Sequence, residues 1–314
     1  MRDESRARWG VVIPAGPGEQ EVMRVEDALA SIQAIEPDVG CVVIVHDERQ
    51  HRRDFRSLAG PLADRTIVVV NPRSPDSDWW SEGVLLSIIT GLRTIMANAP
   101  DVEWVLRMDS DALVIGPLVD AITERFRSDP EVAMLGCYEF ECDGSRRDFA
   151  ATFGKPITRM TLPVSLWKTP RPRLGTSLYG VGKQRLELIR QASANGYVYG
   201  EHCQGGAYAI AMDAVRDLER RDLLGCEPFL GARLPEDVVI SMYLKVIGRT
   251  LATMTAPGEP FGVTHMGLPA SPTSLVEQGY GVAHSVKSWD DLDEAAVRAE
   301  FRRLREGQAA DASA

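Results

Sequence analysis

The chain has 314 residues, of which 44% are hydrophobic and 25% are charged, and its formal net charge at pH 7 is -10. This composition is that of a folded globular protein and excludes a disordered or fibrous chain. The acidic balance argues against nucleic-acid binding, which needs a basic surface. The most apolar stretch, residues 84–97, is interrupted by polar side chains and is too short to predict a membrane span. With no signal-peptide pattern at the N-terminus, we expect a cytoplasmic protein.

The first 115 residues alternate between short apolar runs and amphipathic segments. Strands are predicted over 9–13, 41–45, 66–70 and 103–108, and helices over 21–35 and 83–97. Continuous apolar strands separated by helices are typical of a parallel sheet that is covered on both faces. Ligands bind such sheets beyond the carboxyl ends of the strands. We therefore expect the loops at Pro14, Asp47, Asn71 and Asp109 to open onto one edge of the sheet.

The remainder of the chain continues this alternation around one irregular segment. Helices are predicted over 117–126, 183–195, 213–221, 236–247 and 295–305, and strands over 132–137 and 206–212. Residues 140–182 show no clear periodicity, which is typical of a functional or mobile segment. The five cysteines lack CxxC spacing, which favours buried thiols over a zinc site or a disulfide framework. No linker divides the chain, so we predict a single α/β domain.

A pair of carboxylates, Asp109 and Asp111, follows the fourth predicted strand with Ser110 between them. Side chains two residues apart in an extended segment share a face, so both carboxylates can converge on one cation. A divalent metal relieves the repulsion between two such charges, and oxygen ligands favour magnesium or manganese. The alternative is a solvated acidic turn. The position after a buried strand favours the metal or nucleotide interpretation.

A second acidic pair, Glu236 and Asp237, begins the helix predicted over 236–247. Carboxylates are stabilised at a helix N-terminus, so one interpretation is simple helix capping. The other is a general base that removes the proton of an acceptor hydroxyl. Asp237 is the preferred base, with Glu236 as its neighbour.

Further candidate ligand-binding residues lie near the middle and end of the chain. His284 offers a neutral imidazole ligand for a manganese-like ion, and Lys287 can meet a phosphate as a point charge. His265 is the competing ligand, and we prefer His284 because a lysine lies nearby. Gly205 and Gly206 allow close backbone approach to a ligand, although their spacing alone indicates only a tight turn.

Taken in order, these motifs resemble those of GT-A-type glycosyltransferases, which use nucleotide sugars. The resemblance extends from Val11 to about Trp289. Pro14-Ala15-Gly16 is similar to the first nucleotide loop of that family, His46-Asp47-Glu48 to the loop that meets the base, and Asp109-Ser110-Asp111 to its DxD motif.

The acceptor side of the resemblance points to two stereochemical classes. Gly205-Gly206-Ala207-Tyr208, followed by Glu236-Asp237, is similar to the glycine motif and base of inverting β-1,3-galactosyl- and N-acetylglucosaminyltransferases. The His-x-x-Lys-x-Trp pattern over 284–289 also resembles retaining family-eight-like enzymes. Inversion is the preferred outcome, and retention stays open.

The resemblance implies a Rossmann-like, mostly parallel sheet flanked by helices, with a donor half over 1–115 and an acceptor half over 116–290. A C-terminal helix and frayed tail follow over 291–314. The implied contacts to the donor are Pro14, Ala15, Gly16, Asp47, Arg73, Asp109, Ser110 and Lys287. The implied ligands of Mn2+ or Mg2+ are Asp109, Asp111 and His284, and the implied base is Asp237 beside Glu236.

The implied reaction moves a hexosyl or N-acetylhexosaminyl group from a UDP-linked sugar to an acceptor hydroxyl, in a soluble bacterial-type enzyme. Residues 140–182, with Trp167 and Tyr179, would shape the acceptor site or form a lid. A homodimer is a candidate oligomeric state. The alternatives are a nucleotide-sugar-binding protein without turnover and, less favoured, a phosphohydrolase with a DxD nucleophile motif, which normally ends the first strand. A sugar-1-phosphate nucleotidyltransferase would need an arginine in the first loop, and 14–18 has none.

Overall fold

The computed structural model describes residues 8–47, 55–74, 76–161 and 177–311. Seven strands form the main sheet: β1 (Trp9–Ala15), β2 (Cys41–His46), β3 (Thr66–Val70), β4 (Trp104–Met108), β6 (Val132–Gly136), β7 (Ala207–Ala211) and β8 (Thr250–Thr253), in the order β3-β2-β1-β4-β7-β6-β8. The short strand β5 (Leu113–Val114) belongs to a second sheet. Six strands of the main sheet run in one direction and β7 runs against them. The predicted α/β class, with a mostly parallel sheet flanked by helices, is confirmed.

Nine α-helices are assigned within the described ranges. They are α1 (Gln20–Ile35), α2 (Val84–Asn98), α3 (Val119–Ser128), α4 (Lys155–Thr161), α5 (Ser177–Ala194), α6 (Met212–Arg220), α7 (Glu236–Val246), α8 (Pro272–Glu277) and α9 (Glu294–Asp311). Apolar side chains of α1 and α3 pack on one face of the sheet, and those of α2 and α7 pack on the other. Both faces of the central strands are therefore buried, which explains why those strands are continuously apolar.

The reversed strand β7 determines which residues meet at the functional edge. It lies between β4 and β6 and pairs antiparallel with both, with Met108 opposite Ala207. The N-terminal end of β7 therefore lies beside the carboxyl end of β4. The N–H of Asp109 donates to the carbonyl of Gly206 at 2.7 Å. A parallel strand at this position would have placed Gly206 at the opposite edge.

The elements that sequence patterns missed are short or irregular. The second sheet has the order β5-β10-β9, with β9 (Phe261–Val263) and β10 (Val282–His284), and β11 (Ser288–Trp289) pairs with β12 (Leu292–Asp293). Runs of two to four residues carry too little periodicity to be recognised. A π-helical turn, Trp79–Gly83, precedes α2 and is capped by the carboxylate of Asp78.

The irregular segment predicted over 140–182 has local structure where it is described. Phe140 and Arg146 form an antiparallel bridge, a π-helical turn covers Ala150–Gly154, and α4 follows directly. Helix α5 begins at Ser177, six residues before the predicted start. Trp167 and the side chain of Tyr179 lie outside the described residues. No helix in the described ranges is long and apolar enough to cross a membrane.

Candidate active site

Three potential metal ligands come together beyond the carboxyl end of β4. Ligand atoms of Asp109, Asp111 and His284 all lie within 4.8 Å of one another. Nε2 of His284 is 3.6 Å from Oδ2 of Asp109 and 3.6 Å from Oδ2 of Asp111. The aspartates follow β4 and the histidine ends β10, so the main sheet and the second sheet both contribute. His265, the competing ligand from the sequence, is exposed and does not belong to this group.

The hydrogen bonds of His284 determine which of its nitrogens faces the aspartates. Nδ1 donates to the carbonyl of Thr264 at 2.8 Å, so in the neutral ring Nε2 carries the lone pair. Burial lowers the pKa of His284, but the carboxylates of Asp111 and Asp109 outweigh burial and raise that pKa above its ordinary value. Two carboxylate oxygens and an imidazole nitrogen converge here, a donor set that suits Mn2+ and also accommodates Mg2+.

Asp111 is fixed by the chain that follows β10. Its Oδ2 accepts from Ser285 Oγ at 2.6 Å and lies 2.9 Å from Lys287 Nζ, and its carbonyl accepts from the N–H of Val286 at 3.0 Å. Burial raises the pKa of Asp111, but bonds and charges from His284, Lys287 and Ser285 outweigh it and hold that pKa well below its usual range. Asp111 is therefore ionised at neutral pH. Lys287 is half-exposed and also lines the cavity in front of the cluster.

The ring of His284 lies directly on the backbone of Gly206. Gly206 has a φ of +97°, and a Cβ atom built on it would lie 2.3 Å from His284 Nδ1. Any side chain at this position would displace the imidazole. The sequence indicated only a tight turn here, because the contact joins residues that are distant in the chain.

Arg107 links the metal-ligand cluster to the second acidic pair. Its Nη2 is 2.9 Å from Asp109 Oδ1 and 2.8 Å from Glu236 Oε1, and its guanidinium lies 5.5 Å from the centre of the Tyr208 ring. Arg107 is 2% exposed, and its Nε and Nη1 have no hydrogen-bond partner among the described residues. One buried cation is therefore shared between two carboxylates.

Because Arg107 also pairs with Asp109, its positive charge compensates the carboxylate of Glu236 only in part. Burial raises the pKa of Glu236 most strongly, and the carboxylates of Asp237 and Asp109 add to this, so that the pKa is about 8 despite the opposing effect of Arg107. Glu236 is therefore largely protonated at neutral pH.

The raised pKa of Glu236 predicts how stability depends on pH. Between its ordinary value of 4.5 and about 8, the folded state binds a proton at Glu236 that the unfolded state has lost. The contribution of this proton to the free energy of unfolding therefore falls as pH rises from 4.5 to about 8. We expect wild type to lose about 3 °C or more of Tm between pH 6 and pH 9 relative to Glu236→Gln. Melting curves in the presence of a chelator measure this difference, and parallel pH profiles for the two proteins would contradict it.

Asp237 lies in the first turn of α7 and is held by backbone N–H groups. Its Oδ2 accepts from the N–H of Gly205 at 2.6 Å, and its Oδ1 accepts from its neighbour Val238 at 2.7 Å. Oδ2 is also 3.9 Å from Nε2 of His202. Burial lowers the pKa of His202, whose Nδ1 donates to Gly200, so the ring is neutral. These contacts hold the Asp237 carboxylate in a fixed orientation.

Sequence reasoning did not single out Glu21, which joins the first loop to the DxD motif. Its Oε2 accepts from the N–H of Gly16 at 3.2 Å and from Ser110 Oγ at 2.5 Å. Its Oε1 accepts from Arg24 at 2.7 Å. The sequence feature that could have indicated Glu21 is its position as a carboxylate in the first turn of α1, directly after the first loop.

The C-terminal helix α9 supports this arrangement from behind. Arg24 Nε and Nη2 donate to the two carboxylate oxygens of Glu294 at 2.8 and 2.6 Å. Glu294 also accepts from Arg298, whose Nη1 donates to the buried Asp27 at 2.9 Å. A continuous chain of ion pairs therefore runs from Glu21 on α1 into α9.

Some predicted donor contacts lie away from the cavity. Asp47 and Arg73 form a buried ion pair with each other, and Arg73 lies over the Trp79 ring at 5.5 Å. Ala15 is buried in the core, and Glu48 lies outside the described residues. Pro14 lines the cavity directly. Any role of Asp47 and Arg73 toward a ligand would act through Trp79, which does line the cavity.

The metal-ligand cluster and the Glu236–Asp237 pair open into the same cavity of about 510 Å3. Its walls include the acidic groups just described and, facing them, a group of larger side chains. Those side chains are Trp79, Trp80, Arg147, Phe149, Phe153 and His202. The volume lies in the range of small-molecule sites in proteins.

No family model matches the chain, and no curated protein matches it. Among solved structures, core-mannan synthase A from Aspergillus fumigatus in an Mn/GDP form matches with a TM-score of 0.42 and 14% identity, over 78% of this chain and 71% of that one. A 4-diphosphocytidyl-2C-methyl-D-erythritol synthase from Anaerococcus prevotii matches with a TM-score of 0.39 and 10% identity, over 87% and 95%. The mannosyltransferase PcManGT from Pyrobaculum calidifontis, in complex with GDP-Man and Mn2+, matches with a TM-score of 0.40 and 15% identity, over 81% of this chain and 56% of that one.

Proposed function

We propose that this chain is a GT-A-type, metal-dependent glycosyltransferase that moves a sugar from a UDP-linked donor to an acceptor hydroxyl with inversion. One observation carries the proposal. The Asp109, Asp111 and His284 cluster and the Asp237 carboxylate open into one cavity at the carboxyl edge of the sheet. A diphosphate at the cluster and an acceptor hydroxyl at Asp237 would then be held in the same space.

The residues of the cluster would hold Mn2+ or Mg2+, which when bound supplies charge neutralisation for the diphosphate. Lys287, half-exposed beside Asp111, would donate to a phosphate oxygen and stabilise the leaving group. Ser110 and the first loop, tied together by Glu21, would orient the donor.

Asp237 would accept the proton of the acceptor hydroxyl. As that oxygen forms its bond to the anomeric carbon, the bond from this carbon to the diphosphate breaks and the nucleoside diphosphate leaves with its electron pair. A single displacement of this kind inverts the anomeric configuration. The two N–H bonds to Asp237 support its role, because they fix the orientation of the carboxylate that would accept the proton.

Calorimetric titration tests the donor site. We expect UDP to bind wild type only when Mn2+ is present, and Asp111→Asn to lose at least about tenfold in affinity because a ligand of the cation is removed. Asp143→Asn, an exposed carboxylate outside this cavity, is the matched control and should bind as wild type does.

The same titration with GDP, together with assays of sugar transfer and of phosphoryl trapping, distinguishes the alternatives. Tighter binding of GDP would keep the reaction class and change the donor. Nucleotide binding without transfer to any acceptor would favour a binding protein. Absence of all nucleotide binding would contradict the proposal, and trapping of a phosphoryl group on Asp109 would favour a phosphohydrolase.

A further inference from the structure

A second cavity of about 540 Å3 adjoins the first and is not used by the chemistry described above. We propose that it holds an uncharged sugar unit of the acceptor, next to the unit whose hydroxyl lies at Asp237. The acceptor would then be at least a disaccharide. This inference rests on the proposed function, since it names the acceptor class of the same site.

The two cavities have three lining residues in common. Glu141, Gln204 and His265 line both of them. In its satisfied orientation, the Gln204 amide nitrogen faces Glu141 Oε2 at 3.3 Å and its oxygen faces the N–H of His265 at 2.5 Å. Gln204 directly precedes Gly205, which binds the Asp237 carboxylate. A ligand that extended past Gln204 from the second cavity would therefore approach the candidate base.

The charges around the second cavity disfavour an anionic occupant. Its described lining contains the carboxylates of Glu141 and Asp143 and has no lysine or arginine. Arg147, a cation that lines the first cavity, is already engaged. Its Nη1 donates to the carbonyls of Cys137, Tyr138 and His202 at 2.6, 3.1 and 2.7 Å, and its Nη2 contacts His202 Nε2 at 2.8 Å. A phosphate or uronate unit would meet these carboxylates and, among the described lining residues, no lysine or arginine.

The remaining lining combines apolar surfaces with a few polar groups. The apolar side chains are Met266, Pro269, Ala270, Leu275 and Tyr280, and the uncharged polar ones include Thr264 and Gln278. Met266 is 82% exposed, which is unusual for so large an apolar side chain. A neutral pyranose has an apolar C–H face and a rim of hydroxyl groups, so its chemistry complements this surface. The lining is therefore that of a sugar-sized pocket with few orienting polar groups.

The experiment compares matched ligands and two tryptophan variants. The probes are methyl glycosides of glucose, galactose and mannose, the corresponding neutral disaccharides, and disaccharides that carry a uronic acid. Binding is measured by saturation-transfer NMR and calorimetry on the full chain with UDP and Mn2+. Ala270→Trp fills the second cavity, while Ala30→Trp adds the same side chain at an exposed position of α1 that lines neither cavity.

We expect at least one neutral disaccharide to bind about tenfold or more tightly than its monosaccharide, which is about 1.4 kcal/mol. Ala270→Trp should abolish this gain, and Ala30→Trp should keep it. Met266→Ala, an exposed substitution that keeps the fold, should reduce the gain severalfold. Equal affinity for both ligand sizes, strongest binding of a uronic-acid disaccharide, binding of no disaccharide, or an unaltered gain in Ala270→Trp would each overturn the proposal.

Release of UDP from a UDP-sugar in the absence of acceptor separates this inference from the proposed function. That hydrolysis depends on the metal-ligand cluster and should be unchanged in Ala270→Trp. If hydrolysis occurs but disaccharides bind no more tightly than monosaccharides, the second cavity is not an acceptor site and the proposed transferase function stands. If neither nucleotide binding nor hydrolysis occurs, the proposed function itself fails.

Discussion

Asp237→Asn is expected to lower the rate of sugar transfer by about 100- to 10,000-fold, the range for loss of a general base, while donor binding stays unchanged. The amide keeps the size of the side chain and can still accept the N–H of Gly205, but it cannot take up the acceptor proton. Initial rates of transfer and calorimetric titration of UDP with Mn2+ measure the two quantities separately.

Asp148→Asn is the matched control, because Asp148 lines the same cavity and is exposed. It should retain most of the transfer activity. Equal losses in both variants would indicate that cavity charge, and not a proton acceptor at Asp237, matters for turnover. A loss of UDP binding in Asp237→Asn would likewise contradict its assignment to the acceptor side.

Gly206→Ala is expected to abolish Mn2+ binding and to destabilise the fold by on the order of 2 kcal/mol or more. The residue has a φ of +97°, which alanine adopts only with strain, and its added Cβ would lie 2.3 Å from Nδ1 of His284. The imidazole would have to leave its position above the aspartates. Urea unfolding and Mn2+ titration of the folded variant measure the two effects.

Gly182→Ala is the matched control, because the same added methyl group is expected to stabilise the protein there and not to destabilise it. Gly182 lies within α5, and a Cβ atom there would meet nothing within 4 Å among the residues that the structure describes. Alanine should therefore stabilise the protein by roughly 0.5–1 kcal/mol and leave Mn2+ binding unaltered. If both variants lost similar stability, the contact between Gly206 and His284 would not be the cause.

The long elements of the fold could be predicted because each carries a strong local pattern. Strands such as Thr66–Val70 and helices such as Gln20–Ile35 have clear periodicity or continuous apolar character. The antiparallel direction of β7 could not be predicted, because a buried strand has the same apolar pattern whether it runs parallel or antiparallel to its neighbours. The strands that hold His284 were missed because they have only two or three residues.

Prediction of the site depended on how local its contacts are. Asp109 and Asp111 were expected to converge because they lie two positions apart in an extended segment. They do converge, but in a turn that follows β4, so the predicted strand geometry was wrong and only the short spacing mattered. Arg107 precedes Asp109 by two positions and pairs with that carboxylate, which is another local contact. The contacts of Glu21 with Ser110 and of Gly206 with His284 join residues almost 80 or more positions apart. No local pattern encodes such contacts, and they appear only when the sheet order is known.

The ion pairs between Arg24 and Glu294 have a consequence for the order of events during synthesis. The two residues are 270 positions apart, yet their contact supports Glu21, which ties the first loop to Ser110. The first loop leaves the ribosome before α9 does, and its support from α9 exists only after those 270 residues have been translated. A nascent chain that had formed only β1 to β4 would therefore lack the ion pairs that support its first loop. Assembly of the site in its final form is accordingly a late step of folding.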